Sequence, residues 1–119
     1  MCWDTATALA GLALLVAAAT TPAAAGAART VTVTATEFAF EPQRIEVRAG
    51  ETLRIRLRNA GALSHNLHVR GAGVHTDTVQ AGAADTVTVT PAESGTLRFR
   101  CRVPGHAEAG MTGRVVVSE

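Results

Sequence analysis

The chain has 119 residues, and its 11 basic and 10 acidic side chains leave a formal net charge of +1 at neutral pH. A chain of this length can bury one hydrophobic core, so we expect one folded domain and exclude a multidomain architecture. A net charge this close to zero also argues against nucleic acid as a partner, because nucleic-acid binding requires a strongly basic surface.

The N-terminal segment is predicted to be a targeting signal. An apolar run from Leu9 to Ala19 is followed by small residues that are typical of a cleavage site. We therefore predict a signal peptide over residues 1–28, with cleavage near residue 25 or 28, and a folded domain over residues 29–119. This predicts export to the periplasm, to the outer face of the cytoplasmic membrane or to the extracellular space. The alternative is an uncleaved segment, which would be the only membrane contact that we expect.

From residue 30 onward, apolar and polar residues alternate in short segments that are separated by turn residues. This pattern is typical of an all-β sandwich or barrel, and no segment has a helical period. We predict seven or eight strands. Their apolar positions are Val31 and Val33; Ile45 and Val47; Leu53, Ile55 and Leu57; His65, Leu67 and Val69; Val87 and Val89; Leu97, Phe99 and Cys101; Val115 and Val117.

Strand parity predicts where the chemically important side chains point. Side chains two residues apart lie on the same face of a strand, so Cys101 is expected to point into the core with Phe99. The same parity places His65 on the inner face with Leu67.

Without residues 1–28 the chain has one cysteine, which cannot form an intramolecular disulfide. A single buried thiol in an exported protein is therefore expected to bind a metal.

Three metal-binding residue types occur in one short segment near the C-terminus. Cys101, His106 and Met111 are separated by gaps of four residues, and His65 lies far upstream. Two imidazoles, one thiolate and a weak thioether are the ligand set of a mononuclear type 1 copper centre. A zinc site is chemically possible, although a methionine ligand would be unusual there.

The ligand segment also contains residues that favour tight turns. Pro104 and Gly105 are expected to form a turn that folds His106 back over the cysteine. Gly110 and Gly113 are expected to let the backbone pass close to the metal.

These residues resemble the cupredoxins, the family that includes plastocyanin and azurin. In that family the first copper ligand is a histidine followed by asparagine, as in His65-Asn66, and the other ligands come from the loop between the last two strands. The stretches Phe38-Ala-Phe40-Glu-Pro42 and Asn59-Ala-Gly61 are also similar. The resemblance covers roughly residues 30–118 and implies a Greek-key β-sandwich of cupredoxin type.

The resemblance implies one type 1 copper ion, with Asn66 joining the two ligand segments through hydrogen bonds. The implied ligands are His65, Cys101, His106 and Met111. The implied function is that of an exported blue copper protein, not an enzyme, that carries single electrons between a redox protein donor and an acceptor through transient contacts. Electrons would leave at the edge of the His106 ring, within an apolar patch that includes Ala60, Ala62, Leu63, Val103, Pro104 and Ala107.

Three other functions stay open at this point. The same ligands could store or deliver copper without redox cycling, or the domain could be a cupredoxin-like assembly module in a larger complex. Catalysis would require a second copper site, for which His68 and His75 are the remaining histidines. We expect both of these to be solvated surface residues.

Two strands carry arginine at every second position. The triplets Arg54/Arg56/Arg58 and Arg98/Arg100/Arg102 are expected to form solvated sheet faces, with their aliphatic stems covering apolar surface. A docking surface for an acidic partner is the alternative interpretation.

Overall fold

The computed structural model describes residues 28–119, and the structural statements below concern that part of the chain. It contains nine strands and no helix, and so no helix long and apolar enough to span a membrane. The strands are β1 (Ala28–Thr36), β2 (Ala39–Glu41), β3 (Arg44–Arg48), β4 (Thr52–Asn59), β5 (His68–Val69), β6 (Val74–His75), β7 (Ala84–Val89), β8 (Gly95–Arg100) and β9 (Thr112–Ser118).

The strands form two sheets that pack as a sandwich. One sheet has the order β2-β1-β4-β7 and the other the order β3-β9-β8-β5-β6. The chain crosses repeatedly from one sheet to the other, and β1 pairs with β4, and β3 with β9, in parallel. The predicted all-β sandwich is confirmed. The strand count exceeds the predicted seven or eight because β2 and β6, with three and two residues, are too short to show alternation.

The core follows the predicted alternation. In β4, every second residue from Leu53 to Asn59 is buried, and the three arginines between them are exposed. In β8, Phe99 is buried, and Cys101, the first residue after the strand, is 1% exposed. Alternation places one side of each strand in the space between the sheets, where burial of apolar surface provides the main driving force for folding.

One segment departs from the predicted strand but keeps its side-chain orientation. His65 forms only an isolated bridge to Val79, and the regular strand begins at His68. Between these points, the Thr76 hydroxyl accepts a hydrogen bond from the Leu67 amide at 3.0 Å. A side-chain hydroxyl thus takes the place of a backbone carbonyl as the acceptor for this amide. His65 and Leu67 nevertheless remain fully buried, as predicted.

Three connections meet at one end of the sandwich and carry the residues of interest. They are the turn between β1 and β2, the segment between β4 and β5, and the loop between β8 and β9. The parallel pairing of β1 with β4 brings the ends of these strands together, since Ala35 lies opposite Asn59.

Candidate metal centre

The β8–β9 loop is held closed by backbone hydrogen bonds. The Cys101 amide donates to the Met111 carbonyl at 3.1 Å, which joins the two ends of the loop. Inside it, the His106 amide donates to the Val103 carbonyl and the Met111 amide donates to the His106 carbonyl, each at 3.1 Å. Gly105 has a φ of 84°, which favours glycine in this turn. The expected turn before His106 is therefore confirmed.

Three donor atoms converge inside this end of the sandwich. His65 Nδ1 lies 3.2 Å from His106 Nδ1, and Cys101 Sγ lies 3.6 Å from the same atom. One donor atom from each of the three residues lies within 4.8 Å of the others. Met111 belongs to the same buried end of the molecule and is fully inaccessible to solvent. The four side chains are arranged as a type 1 copper site.

The donor chemistry fits copper. A thiolate and a thioether are soft donors that favour Cu(I), and two imidazoles also suit Cu(II). Of His65, Cys101 and His106, the last is the most exposed, at 7%, so solvent is nearly excluded from all three donor residues. A buried soft site of this kind stabilises the reduced state of a bound metal.

Asn66 connects the two ligand segments. Its Oδ1 atom accepts a hydrogen bond from the Arg102 amide at 2.7 Å, next to Cys101 in sequence. Its Nδ2 atom donates to the Thr78 hydroxyl at 3.0 Å. The residue after one imidazole ligand is thereby tied to the residue after the thiolate ligand.

Glu37, in the β1–β2 turn, contacts the first histidine from outside. Its Oε1 atom lies 3.3 Å from His65 Nε2 and accepts hydrogen bonds from the Ala62 and Leu63 amides at 2.8 Å. These bonds, first of all the one from Leu63, hold the pKa of the carboxyl below its usual value. With Nε2 facing the carboxylate, Nδ1 is the atom directed at the other donors, and the carboxylate favours the tautomer that leaves Nδ1 free.

The loop between β4 and His65 is built around this carboxylate. A Cβ atom at Gly61 would collide with the Glu37 carboxylate, at 2.9 Å from its Cδ atom. On the inner side, Asn59 Nδ2 donates to the Leu63 carbonyl at 2.7 Å, and Asn59 Oδ1 accepts from the Gly61 amide at 2.9 Å. The loop is thus fixed from both sides before it reaches the first ligand.

Phe38 covers the second histidine. Its ring packs edge-to-face against His106, with ring centroids 5.2 Å apart and an interplanar angle of 76°. Phe38 has a φ of 70°, a left-handed conformation that is uncommon for a bulky residue. The sequence interpretation assigned no role to Glu37 or Phe38. The one sequence signal near them was the similarity of the stretch that begins at Phe38 to cupredoxins, and it did not indicate a contact with the site.

The predicted apolar patch is partly exposed around His106. Leu63 is 46% exposed and Pro104 is exposed, whereas Val103 and Ala107 are partly buried. Phe38, at 40%, is the other large exposed hydrophobic residue of the described chain. The structure therefore adds Phe38 to the residues surrounding the ring edge.

The other two histidines lie apart from the donor cluster. His68 and His75 face each other across the β5–β6 pair with stacked rings, whose centroids are 4.8 Å apart. His75 is exposed as expected, and His68 is partly buried. Burial and the positive charges of His75, Arg102 and Arg100 lower the pKa of His68.

The expected role of one glycine is wrong. Gly113 was expected to allow close approach to the metal, but a Cβ atom there would collide with the Phe99 ring and lie 2.8 Å from the Gln43 carbonyl oxygen. Its missing side chain makes room for core packing. Gly110 has a φ of 119°, and a Cβ atom there would lie 3.4 Å from the Phe38 carbonyl oxygen.

Sequence comparisons place these features in a known group. A family profile described as a cupredoxin-like domain matches residues 7–117. The copper-resistant cuproprotein CopI of Rubrivivax gelatinosus is 35% identical over 109 residues, which cover 75% of this chain and 66% of that protein. The protein of the same name from Pseudomonas aeruginosa is 26% identical over 137 residues, which cover 75% of this chain and 76% of that protein. Plastocyanin A/B of Petroselinum crispum is 35% identical over 88 residues, which cover 66% of this chain and 87% of that protein.

Solved structures show the same fold. Auracyanin from Roseiflexus castenholzii superimposes with a TM-score of 0.69 at 21% identity, over 76% of this chain and 97% of auracyanin. A blue copper oxidase from Nitrosomonas europaea gives a TM-score of 0.68 at 19% identity, but only 39% of that chain is covered. The profile match extends over most of the sequence and agrees with the sandwich and its copper-site arrangement. The chain belongs to the cupredoxin-like family of copper proteins.

Proposed function

We propose that this protein is an exported blue copper protein that carries single electrons. The observation that supports the proposal best is the convergence of one donor atom each from His65, Cys101 and His106 within 4.8 Å of one another in a buried site. Bound copper would supply a one-electron couple between Cu(I) and Cu(II). A donor set already fixed by the fold requires little rearrangement when the charge of the metal changes, which favours rapid electron transfer.

The chain itself contributes rigidity and exclusion of water. Glu37 fixes the first imidazole from one side, Asn66 joins the two ligand segments, and Phe38 packs on the second imidazole. These contacts restrict both rings independently of a metal. The proposal therefore assigns the stiffness of the site to the protein frame.

A spectrum tests the proposal directly. We expect the chain from Gly26 onward to develop an intense blue colour on addition of Cu(II). Ascorbate should bleach this colour, and ferricyanide should restore it. Cys101→Ser should remove the blue band, because the band arises from the thiolate. A colourless wild-type protein that retains copper would exclude the electron-carrier function and favour copper handling.

Transient partners are proposed to meet the protein at the apolar patch around His106. The electron self-exchange rate between two copies tests this without an identified partner, since two copies must bring their copper sites close together. Leu63→Asp should lower the rate, because it places like charges at the contact. Thr88→Asp, which changes an exposed residue on a distant sheet face, is the matched control. Equal rates in the two variants would remove the patch from the proposal.

Copper handling is the second candidate function. It is favoured by the identity of 35% to a protein described as a copper-resistant cuproprotein. In this case the same donors would hold Cu(I) very tightly and no stable Cu(II) form would develop. The blue colour that ascorbate bleaches and ferricyanide restores is expected only for the electron carrier, so the same experiment separates the two functions.

We do not assign catalysis to this chain alone. The oxidase that shares its fold is covered to only 39%, so this chain matches one part of that enzyme. The other two histidines stack on each other and are not members of the donor cluster. A cupredoxin-like module in a larger exported complex is compatible with the electron-carrier proposal.

A further inference from the structure

The outer face of the five-stranded sheet carries a row of arginines that face one another. Arg114 of β9 lies between Arg44 of β3 and Arg98 of β8 as a direct register partner of each. The row continues to Arg70, whose amide donates to the Arg98 carbonyl at 2.8 Å. All four side chains are exposed. We call Arg44, Arg114, Arg98 and Arg70 the arginine row.

The other sheet places its arginines differently. Arg54 of β4 lies between Thr30 and Thr88, and Arg56 lies between Thr32 and Thr86. Each of these guanidinium groups is therefore separated from the next strand's charges by a short polar side chain. The same protein thus contains one sheet face that spaces its arginines and one that aligns them.

Alignment of like charges across strands is unfavourable. Directly opposite like-charged side chains destabilise a sheet, and water screens this repulsion only in part. In the described residues, the row contains one ion pair between side chains, from Arg44 to Glu46 at 2.9 Å, and both partners are largely exposed. Solvation of the arginine side chains does not by itself explain why arginines lie opposite one another in this sheet. The arginines of β4 are also solvated, and none of them lies opposite another arginine.

The surface beside the row has room for acidic side chains. A depression of about 210 Å³ is lined by Arg44, Arg98 and Arg114, and a neighbouring one of about 320 Å³ is lined by Arg70, Arg98 and Arg100. Glu108 is the acidic residue at the second depression. Guanidinium groups present planar donor pairs that match carboxylates.

We infer that the arginine row docks an acidic protein surface. The large exposed hydrophobic residues of the described chain, Phe38 and Leu63, lie at the copper end of the sandwich and not on this face. The face therefore lacks the apolar anchors that stabilise a protein in a lipid surface, and it favours a protein partner over a membrane. A partner bound here would lie beside β8, the strand that leads directly to Cys101.

This inference adds the chemistry of a partner to the proposed function, and its test requires no copper. The probe is a peptide of alternating glutamate and serine, added to the isotope-labelled protein and followed by amide chemical shifts. Arg98→Thr and Arg56→Thr are matched variants, since each replaces one mid-strand arginine by threonine. Arg114→Thr is a second variant in the row if Arg98→Thr folds poorly.

We expect the peptide to shift amides of β3, β8 and β9 in a salt-dependent manner. Arg98→Thr should weaken binding roughly two- to fivefold, the effect of one exposed ion pair, whereas Arg56→Thr should leave it unchanged. Arg98→Thr should also raise the melting temperature, because it removes repulsion within the row.

Four results would overturn the inference. They are absence of peptide binding, equal weakening in the two matched variants, a lower melting temperature in both row variants, and cosedimentation of the protein with phosphatidylglycerol-containing vesicles through the same face. The last result would assign the row to a membrane surface. A failure of blue colour with intact peptide binding would affect only the electron-carrier proposal.

Discussion

At the scale of single residues, the copper site is positioned by polar side chains that are not themselves proposed ligands. Asn59 holds the loop before His65 from inside the sandwich, and Glu37 holds it from outside. Asn66 ties this segment to the backbone next to Cys101. Because these bonds satisfy backbone groups at a buried end of the sheets, they determine where the donors can lie.

Glu37→Ala tests the external part of this support. The variant removes the acceptor for His65 Nε2 and for two loop amides, so the melting temperature of the metal-free protein should fall. The blue absorption band should also broaden or shift, because the imidazole loses its fixed orientation. Glu37→Gln, which retains a carbonyl oxygen at the same position, should restore much of both properties. An unchanged spectrum in Glu37→Ala would show that the carboxylate does not position His65.

Gly113→Ala tests the corrected role of this glycine. The added methyl group would meet a fully buried Phe99 ring and a backbone oxygen, neither of which can move freely. We expect a loss of about 1–3 kcal/mol in the free energy of unfolding, measured by urea denaturation. Thr112→Ala, at the exposed neighbouring position, should change it by less than about 0.5 kcal/mol. If instead the copper spectrum changed without a loss of stability, the original assignment beside the metal would be correct.

The ligand residues could be selected from the sequence because their chemistry is specific and three of them are close together in the chain. Cys101, His106 and Met111 occur within one loop, and the parity of β8 predicted that the cysteine is buried. The contributions of Glu37 and Phe38 could not be predicted in this way. Their contacts depend on how the β1–β2 turn meets two loops that are distant in sequence.

At the scale of elements, alternation predicted the long strands and failed for the short ones. β4 alternates buried and exposed residues along most of its length, and in β8 the half-buried Leu97 and the buried Phe99 alternate with exposed residues. β2 and β6 have too few residues for a period, and the region before β5 uses the Thr76 hydroxyl in place of a ladder bond. Register between strands was also not predictable, and the arginine row is a consequence of that register.

The β5–β6 pair should make stability depend on pH through His68. Burial, His75, Arg102 and Arg100 lower its pKa below the usual 6.5, so the unfolded chain binds a proton more readily than the native chain. This contribution to stability is present above about pH 6.5 and is lost as the pH falls toward the lower native pKa. His68→Gln should reduce the loss of stability between about pH 7.5 and pH 5, measured by urea denaturation. The histidines of the copper site are common to both proteins, so the difference from wild type reports on His68 and its interaction with His75. An identical pH dependence in the two would exclude this role.

At the scale of the whole molecule, the copper end of the sandwich combines deep burial with many polar groups. The copper end buries His65, Cys101 and Met111 almost completely and satisfies its polar groups through the connecting loops. Within the described residues, no buried side-chain nitrogen or oxygen lacks a hydrogen-bond partner. The frame is therefore complete without a metal, and we expect the metal-free protein to be folded.

Copper should nevertheless stabilise the molecule, because its donors are assembled only in the folded state. A ligand that binds only the native state adds about 2.7 kcal/mol when its free concentration is 100-fold above its Kd. For a domain of this size that corresponds to an increase of roughly 10–20 °C in melting temperature. Calorimetry with Cu(I) under argon should show this increase in the wild type and a much smaller one in Cys101→Ser, which retains the two imidazoles and the thioether. An equal increase in the two proteins would mean that copper binds without the thiolate. In that case Cys101 would not be a ligand of the copper that stabilises the fold.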